Sequence, residues 1–374
     1  MFREHALRFS CWETCNMSAQ KQLENIAKKV EEENPLARDE GLMLLQCEDI
    51  FFLGGLANII REKKNGNYTH YNINAHINPS NVCINECLFC AFSRKAGDPK
   101  AYDLSVEEIL VNVAKIITPR TTELHIVGGV HPTKDLHFYA GLLAILKERY
   151  PFIQLKAFTA TEIDQMAKLS GVGIEDALKE LKASGLVSLP GGGAEIFSPR
   201  VRTKVCPKKI SGERWLEIHR IAHSLGIKTN ATMLYGHIET NEERVDHLFR
   251  LRELQKETNG FQAFIPLPFH PQNNPLGGAE TTGFLDIKIH AVSRIILDNI
   301  DHIKAYWVMT GIEMAQVLQN FGVDDLDGTV TEEKITHAAG AKTPSHLDED
   351  FIHYLISSAG RVPVERDTLY NRRG

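Results

Sequence analysis

The chain has 374 residues, 43% of them hydrophobic and 24% charged, and a formal net charge of −6. That balance describes a globular chain of one large domain or two smaller ones. It offers no concentrated basic face for nucleic acid, and no apolar run approaches the roughly 20 residues that cross a membrane, so neither partner is expected.

The opening "MFREHALRFSCWETCNMSAQ" mixes charged and polar residues and lacks the apolar core of a secretory signal. A cytoplasmic, reducing setting is therefore expected. Cys11 and Cys15 fall in what reads as a disordered tail, with Met17 as an alternative start just after them. From 18 to 66, apolar residues at i, i+3, i+4 spacing predict helices, with Ser18 as a cap. After Gly66 the pattern becomes a strand–helix alternation. Strands are predicted over 72–77, 123–128, 153–158, 186–190, 228–234, 261–267, 302–307 and 323–326. Helices are predicted over 105–118, 135–150, 174–184, 212–225, 241–258, 284–299 and 312–320.

Strands that alternate with helices form a parallel sheet, because parallel neighbours need crossover connections. Eight of them favour an α/β fold of the closed (β/α)8 TIM type over an open doubly wound sheet. No Pro/Gly/Ser-rich linker divides the chain. The expected organisation is a helical extension over 1–66, a barrel over 67–345, and a C-terminal helix and tail over 346–374 packed on the barrel. The last residues, "RDTLYNRRG", read as a tail.

In such a barrel the active site lies at the C-terminal ends of the strands. Cys83, Cys87 and Cys90 follow the first strand, "GGVHP" the second, "TATE" the third, "PGGGAEIFSPRVR" the fourth, "YGHIE" the fifth and "PFHPQNN" the sixth. Trp307 ends the seventh and "DGT" follows the eighth. In a reducing compartment a tight cysteine cluster points to metal or catalysis, whereas isolated Cys47 and Cys206 read as small buried residues. Three thiolates leave two readings open. A zinc ion would recruit a fourth ligand, for which His76 is the nearest candidate. A [4Fe–4S] cluster would keep one iron open. Glu162 sits where a first-turn acid or a ligand contact is equally natural, and Asp327 where a local hydrogen bond would fix a turn.

The C-x3-C-x2-C spacing, with Phe89 before its last cysteine, resembles the signature of the radical S-adenosylmethionine (SAM) superfamily. "NINAHINPSNVCINECLFCAF", "LPGGGAEIFSPRVR", "NATMLYGHIE" and "FQAFIPLPFHP" extend the resemblance, over about 40–345, to the aminofutalosine synthases of the futalosine route to menaquinone. Dehypoxanthine futalosine cyclases and deazaflavin synthase subunits share the cysteine motif and the glycine turn, and the cyclases carry Gln where His270 stands here. The resemblance implies a [4Fe–4S] cluster on Cys83, Cys87 and Cys90, whose open iron is chelated by SAM. Gly128, Gly129, Glu162, Glu195 and Arg200 become the expected SAM contacts. Glu195, Arg202, His237 and His270 become the expected catalytic groups. The implied substrate is 3-[(1-carboxyvinyl)oxy]benzoate and the implied electron donor a flavodoxin or ferredoxin. Such a dianionic aromatic substrate wants cationic clamps, here Arg200, Arg202, His237 and His270, and apolar walls from Tyr235, Phe269 and Trp307. The competing readings are a hydrogen-abstracting relative such as the cyclase, and a binding protein with a structural metal centre.

Overall fold

The computed structural model describes residues 20–373; Cys11, Cys15, Met17 and Ser18 lie outside them. Helices over 20–31, Arg38–Gln46 and Ile50–Asn65 precede the first strand. The latter two pack on helices Asn241–Thr258 and Gly283–Ile296. The strands are β1 (Tyr68–Asn72), β2 (Asn74–Ile77), β3 (Glu123–Ile126), β4 (Gln154–Ala157), β5 (Leu186–Leu189), β6 (Lys228–Tyr235), β7 (Phe261–Pro268), β8 (His302–Ile303), β9 (Asp325–Gly328) and β10 (Val362–Glu365).

β2 to β8 form one parallel sheet in sequence order. β9 lies between its two edges. It meets the end of β8 through a Lys304–Asp325 bridge and the β1–β2 stave through Asn72–Gly328 and Ala75–Thr331. The expected α/β barrel is therefore present, with β9 as its eighth stave and bridges in place of long ladders at the seam. Capping sets where the outer helices begin. Ser105 and Glu108 close a capping box at Val106–Ile116, as Thr240 and Glu243 do at Asn241–Thr258.

The differences from the sequence reading are local. The seventh strand stops at Ile303, and Trp307 starts a short helix, Trp307–Thr310, with its indole N–H on Gly328 O at 2.8 Å. Helix Pro199–Val205 was not expected, and helix Ala160–Ser170 has Glu162 in its first turn, one of the two places the sequence allowed for that acid. Over the segment expected as a C-terminal helix and tail packed on the barrel, helix Glu349–Ser358 is followed by a strand that the sequence did not suggest. β10 pairs with β1 in parallel, and Arg366 and Thr368 are fully buried at the start of the strands. Thr368 donates to Glu123 and to Gln154, the first residues of β3 and β4, and Tyr370 stacks on His302 of β8 at 3.8 Å. The segment plugs the bottom of the barrel.

Candidate active site

The opposite end holds a cavity of about 320 Å3. Its mouth is built by the loop leaving β2, which is tied down by its backbone. Cys83 N donates to Arg94 O at 2.9 Å, Arg94 N to Asn81 O at 2.8 Å, and Ile84 N to Val130 O at 3.0 Å. Cys83, Cys87 and Cys90 all line the cavity. Backbone N–H groups of Asn85 and Val130 point at Cys83 Sγ, at 3.5 and 3.4 Å, and that of Ser93 at Cys90 Sγ, at 3.4 Å. Cys87 has a cation instead. Burial pushes its thiol up to about 12, against the pull of the Lys209 ammonium. Lys209 pairs with Glu195 at 2.5 Å. Burial disfavours its charge, but Cys87 and Glu195 together hold it protonated above the ordinary lysine range.

Gly128 and Gly129, which follow β3, also line the cavity. A Cβ on Gly129 would overlap the Val82 carbonyl oxygen, and one on Gly128 would come within 2.9 Å of Ser80 O. The cysteine loop lies directly on this turn, and that contact alone requires glycine. Gly129→Ala is therefore expected to displace the loop and cut the iron bound after anaerobic reconstitution. Gly141→Ala, in a helix with open space around it, is expected to leave the iron content unchanged. Equal iron in both variants would show that the close approach does not matter.

Glu195 sits on the cavity wall with a left-handed φ of 48°. His270 and Phe269 line it too, with His270 Nε2 2.9 Å from Met309 O. The other expected site residues lie elsewhere, each for a visible reason. Glu162 accepts from Thr159 N, Thr159 Oγ1 and Gly128 N at 2.7, 2.8 and 3.0 Å, so it holds the glycine turn from behind. Burial raises its carboxyl to about 7 despite those donors. Arg200 is on the surface, paired with Glu243 at 2.6 Å. Arg202 is buried, with its guanidinium on the carbonyls of Ala194, Ile196 and Ile210. His237 is held by its own loop, with Nδ1 at 2.8 Å from Ile238 N and 3.1 Å from Glu239 Oε2, and Nε2 at 3.1 Å from Leu234 O. Tyr235 donates to Asp286 at 2.8 Å. None of these lines the cavity, so the clamp expected from Arg200, Arg202 and His237, and the walls expected from Tyr235 and Trp307, are not where the sequence suggested. Asp327 is a further correction. Asp325 Oδ1 holds the Asp327 N–H at 2.6 Å, leaving the Asp327 carboxylate to pair with Lys304 at 2.5 Å inside the barrel.

The sequence reading passed over Lys209, Lys156, Lys304 and His125, all of which line the cavity. A signal for two of them exists in the strands. Alternation in "ELHI" and "QLKA" turns His125 and Lys156 inward, where a barrel ordinarily carries apolar side chains.

Two metal readings were open. In a mononuclear zinc site, Zn–S bonds of ~2.3 Å place sulfurs roughly 3.8 Å apart. Among the described residues, only His70, His302 and Asp324 bring three ligand atoms within 4.8 Å of one another. The three thiols, with or without His76, are spread more widely, as a multi-iron cluster requires. The N–H groups aimed at two sulfurs and the buried Lys209 cation suit an anionic cluster. Asn85 Nδ2, Thr161 Oγ1 and Asn230 Oδ1, of residues that line the same cavity, have no protein partner. They leave hydrogen-bonding capacity for a polar ligand, so the residues fit the cluster and SAM.

Comparison with known proteins agrees with this geometry. Residues 77–251 match the family model described as the radical SAM superfamily, and 258–374 match the CofH/MqnC C-terminal region. The chain is 48% identical over 350 residues to an aminodeoxyfutalosine synthase of Thermus thermophilus, covering 92% of this chain and 94% of that protein. It is 43% identical to an aminodeoxyfutalosine synthase of Streptomyces coelicolor, covering 92% of each. A 5-amino-6-(D-ribitylamino)uracil–L-tyrosine 4-hydroxyphenyl transferase of Methanosarcina mazei is 40% identical, covering 90% of this chain and 88% of the transferase. Among solved structures, methylornithine synthase superimposes with a TM-score of 0.72 at 19% identity, covering 90% of this chain and 97% of that one. That last likeness concerns the fold alone. The chain belongs to the radical SAM superfamily and, within it, to the family that contains the aminodeoxyfutalosine synthases.

Proposed function

We propose that the protein joins the 5′-deoxyadenosyl group of SAM to the enol-ether double bond of 3-[(1-carboxyvinyl)oxy]benzoate, on the way to 6-amino-6-deoxyfutalosine. One observation carries the reading: one cavity has three thiols at its mouth, an apolar wall, and at its far end basic side chains interleaved with the acids Glu123 and Asp327. A [4Fe–4S] cluster on Cys83, Cys87 and Cys90, with SAM on its open iron, would supply the adenosyl radical when reduced by a flavodoxin or ferredoxin.

The chain's own residues do the rest. The backbone of Gly128 and Gly129, held by Glu162, shapes the edge of the SAM site. Glu195, fixed by Lys209, is placed to accept from the SAM ammonium or a ribose hydroxyl. Ile265, Leu267, Phe269 and Tyr306 wall the space below. They exclude water, which suits a carbon radical that must add to a neighbour before it is quenched. Having the aromatic ring against this wall leaves the vinyl group free to face the mouth.

Mass spectrometry of the reduced enzyme after incubation with SAM and 3-[(1-carboxyvinyl)oxy]benzoate tests this. A product carrying adenosine together with the benzoate carbons is expected. Release of free 5′-deoxyadenosine in step with substrate loss, and no such product, would instead assign hydrogen abstraction.

A further inference from the structure

The far end of the cavity contains a row of polar side chains that neither the cluster site nor the SAM site uses. β2, β3 and β4 are adjacent, and their register sets His76 beside His125 and His125 beside Lys156. All three side chains face the cavity and all are buried or nearly so. They therefore form one inward layer across three staves, below the cysteine loop.

These groups have capacity to spare. Nε2 of His76 and Nε2 of His125 are buried with no protein partner, and their rings lie 4.5 Å apart. The Lys156 ammonium carries three N–H bonds, and Glu123, at 2.6 Å, is its one ion-pair partner among the described residues. Glu123 is in turn bonded by Thr368 of the C-terminal plug. On the facing side Lys304 is paired with Asp327 at 2.5 Å. Glu333, which also lines the cavity, accepts from the backbone N–H groups of Ile335 and Thr336. The acids of this layer are thus engaged, while the ammonium and the two Nε2 atoms keep unused capacity, each imidazole as a donor in its Nε2–H tautomer.

A metal ion would be repelled by the ammonium. A group with several acceptor lone pairs and no donors fits what is missing, and a carboxylate is such a group. The apolar and aromatic wall above the layer suits a flat ring attached to it.

We propose that His76, His125 and Lys156 form a carboxylate subsite at the floor of the barrel, which takes the ring carboxylate of an aryl carboxylate substrate. This rests on the function proposed above. It deepens it by orienting the substrate, with the benzoate end down and the enol ether up toward the cysteines. His125 and Lys156 then act as binding residues, a role for which the sequence suggested Arg200, Arg202, His237 and His270.

Calorimetric titration of the reconstituted, unreduced enzyme tests the subsite with three probes: 3-[(1-carboxyvinyl)oxy]benzoate, 3-ethoxybenzoate and the neutral 3-ethoxybenzamide. His125→Gln is expected to weaken both acids roughly 10- to 100-fold, the effect of losing a hydrogen bond to a charged group, and to leave the amide within about twofold. His76→Gln gives the same contrast where the first variant fails to fold, as judged by circular dichroism. Lys156→Gln combined with Glu123→Gln, which leaves no buried charge alone, is expected to lose the acids' advantage over the amide. Equal losses for acids and amide, or none for the acids, would overturn the subsite. Wild-type enzyme that binds 3-ethoxybenzoate but not the carboxyvinyl compound would retain the floor and sink the substrate assignment. Wild-type enzyme that binds neither acid would overturn both.

Discussion

Cys87→Ala is expected to yield a folded chain that retains less than the full cluster and forms no adenosyl product. Cys87 is 8% exposed and sits between the other two thiols of its loop, with Cys206, the next residue after Val205, buried nearby. Its environment contains the Lys209 ammonium, a charge that favours thiolate over thiol. Removing the sulfur therefore takes away a ligand and leaves that cation facing Glu195 and Cys206. The backbone pairs that shape the loop, Cys83 with Arg94 and Ile84 with Val130, do not pass through the side chain, so the barrel should survive the change. Cys47, in the N-terminal helical region, is buried but has no part in the site. Cys47→Ala is accordingly expected to keep wild-type iron content and turnover. The readouts are iron and sulfide per chain, the visible spectrum after anaerobic reconstitution, and product by mass spectrometry. Wild-type turnover by Cys87→Ala would exclude a three-cysteine cluster as the source of the activity.

The barrel and its thiol mouth were legible in the sequence because both are written in local pattern. Alternating strand and helix periods set the staves, and three cysteines in eight residues set the mouth. The clamp was not legible, because whether an arginine reaches a cavity depends on which partners the folded backbone offers it, near or far along the chain. Arg200 meets Glu243, and Arg202 is enclosed by its own turn, with carbonyls from 194 to 210 around it. The reverse error hid Lys156 and Lys304. A lysine in a strand normally faces solvent; these face inward because Glu123 and Asp327 neutralise them across neighbouring staves. Gly128 and Gly129 lay between the two cases. Their position was right, but part of the reason is the loop that sits on them.

The same long-range pairing makes the last residues of the chain decisive for stability. Arg366 is fully buried, and its Nε donates to Asp325 Oδ2 at 2.6 Å. Its guanidinium lies 4.3 Å from the ring centre of Tyr370, which itself stacks on His302. Asp325 is equally buried, and the next cation, Lys304, is 3.9 Å away and already pairs with Asp327. Burial alone would raise the Asp325 carboxyl, yet Arg366 and Lys304 hold it down at about 2. Removing the arginine leaves a carboxylate in the barrel bottom with little to balance it, the situation that costs about 3–5 kcal/mol for a buried pair. Against a typical total stability of roughly 5–15 kcal/mol, Arg366→Met should lower the urea midpoint severely. The double variant Arg366→Met with Asp325→Asn removes both charges and should recover much of that loss, since an unpaired charge costs more than a missing pair. Because Asp325 also holds the Asp327 N–H beside Lys304, the single variant should loosen the cavity floor as well. A wild-type midpoint for Arg366→Met would mean that the plug is held by β10 and its packing, and that the ion pair contributes nothing.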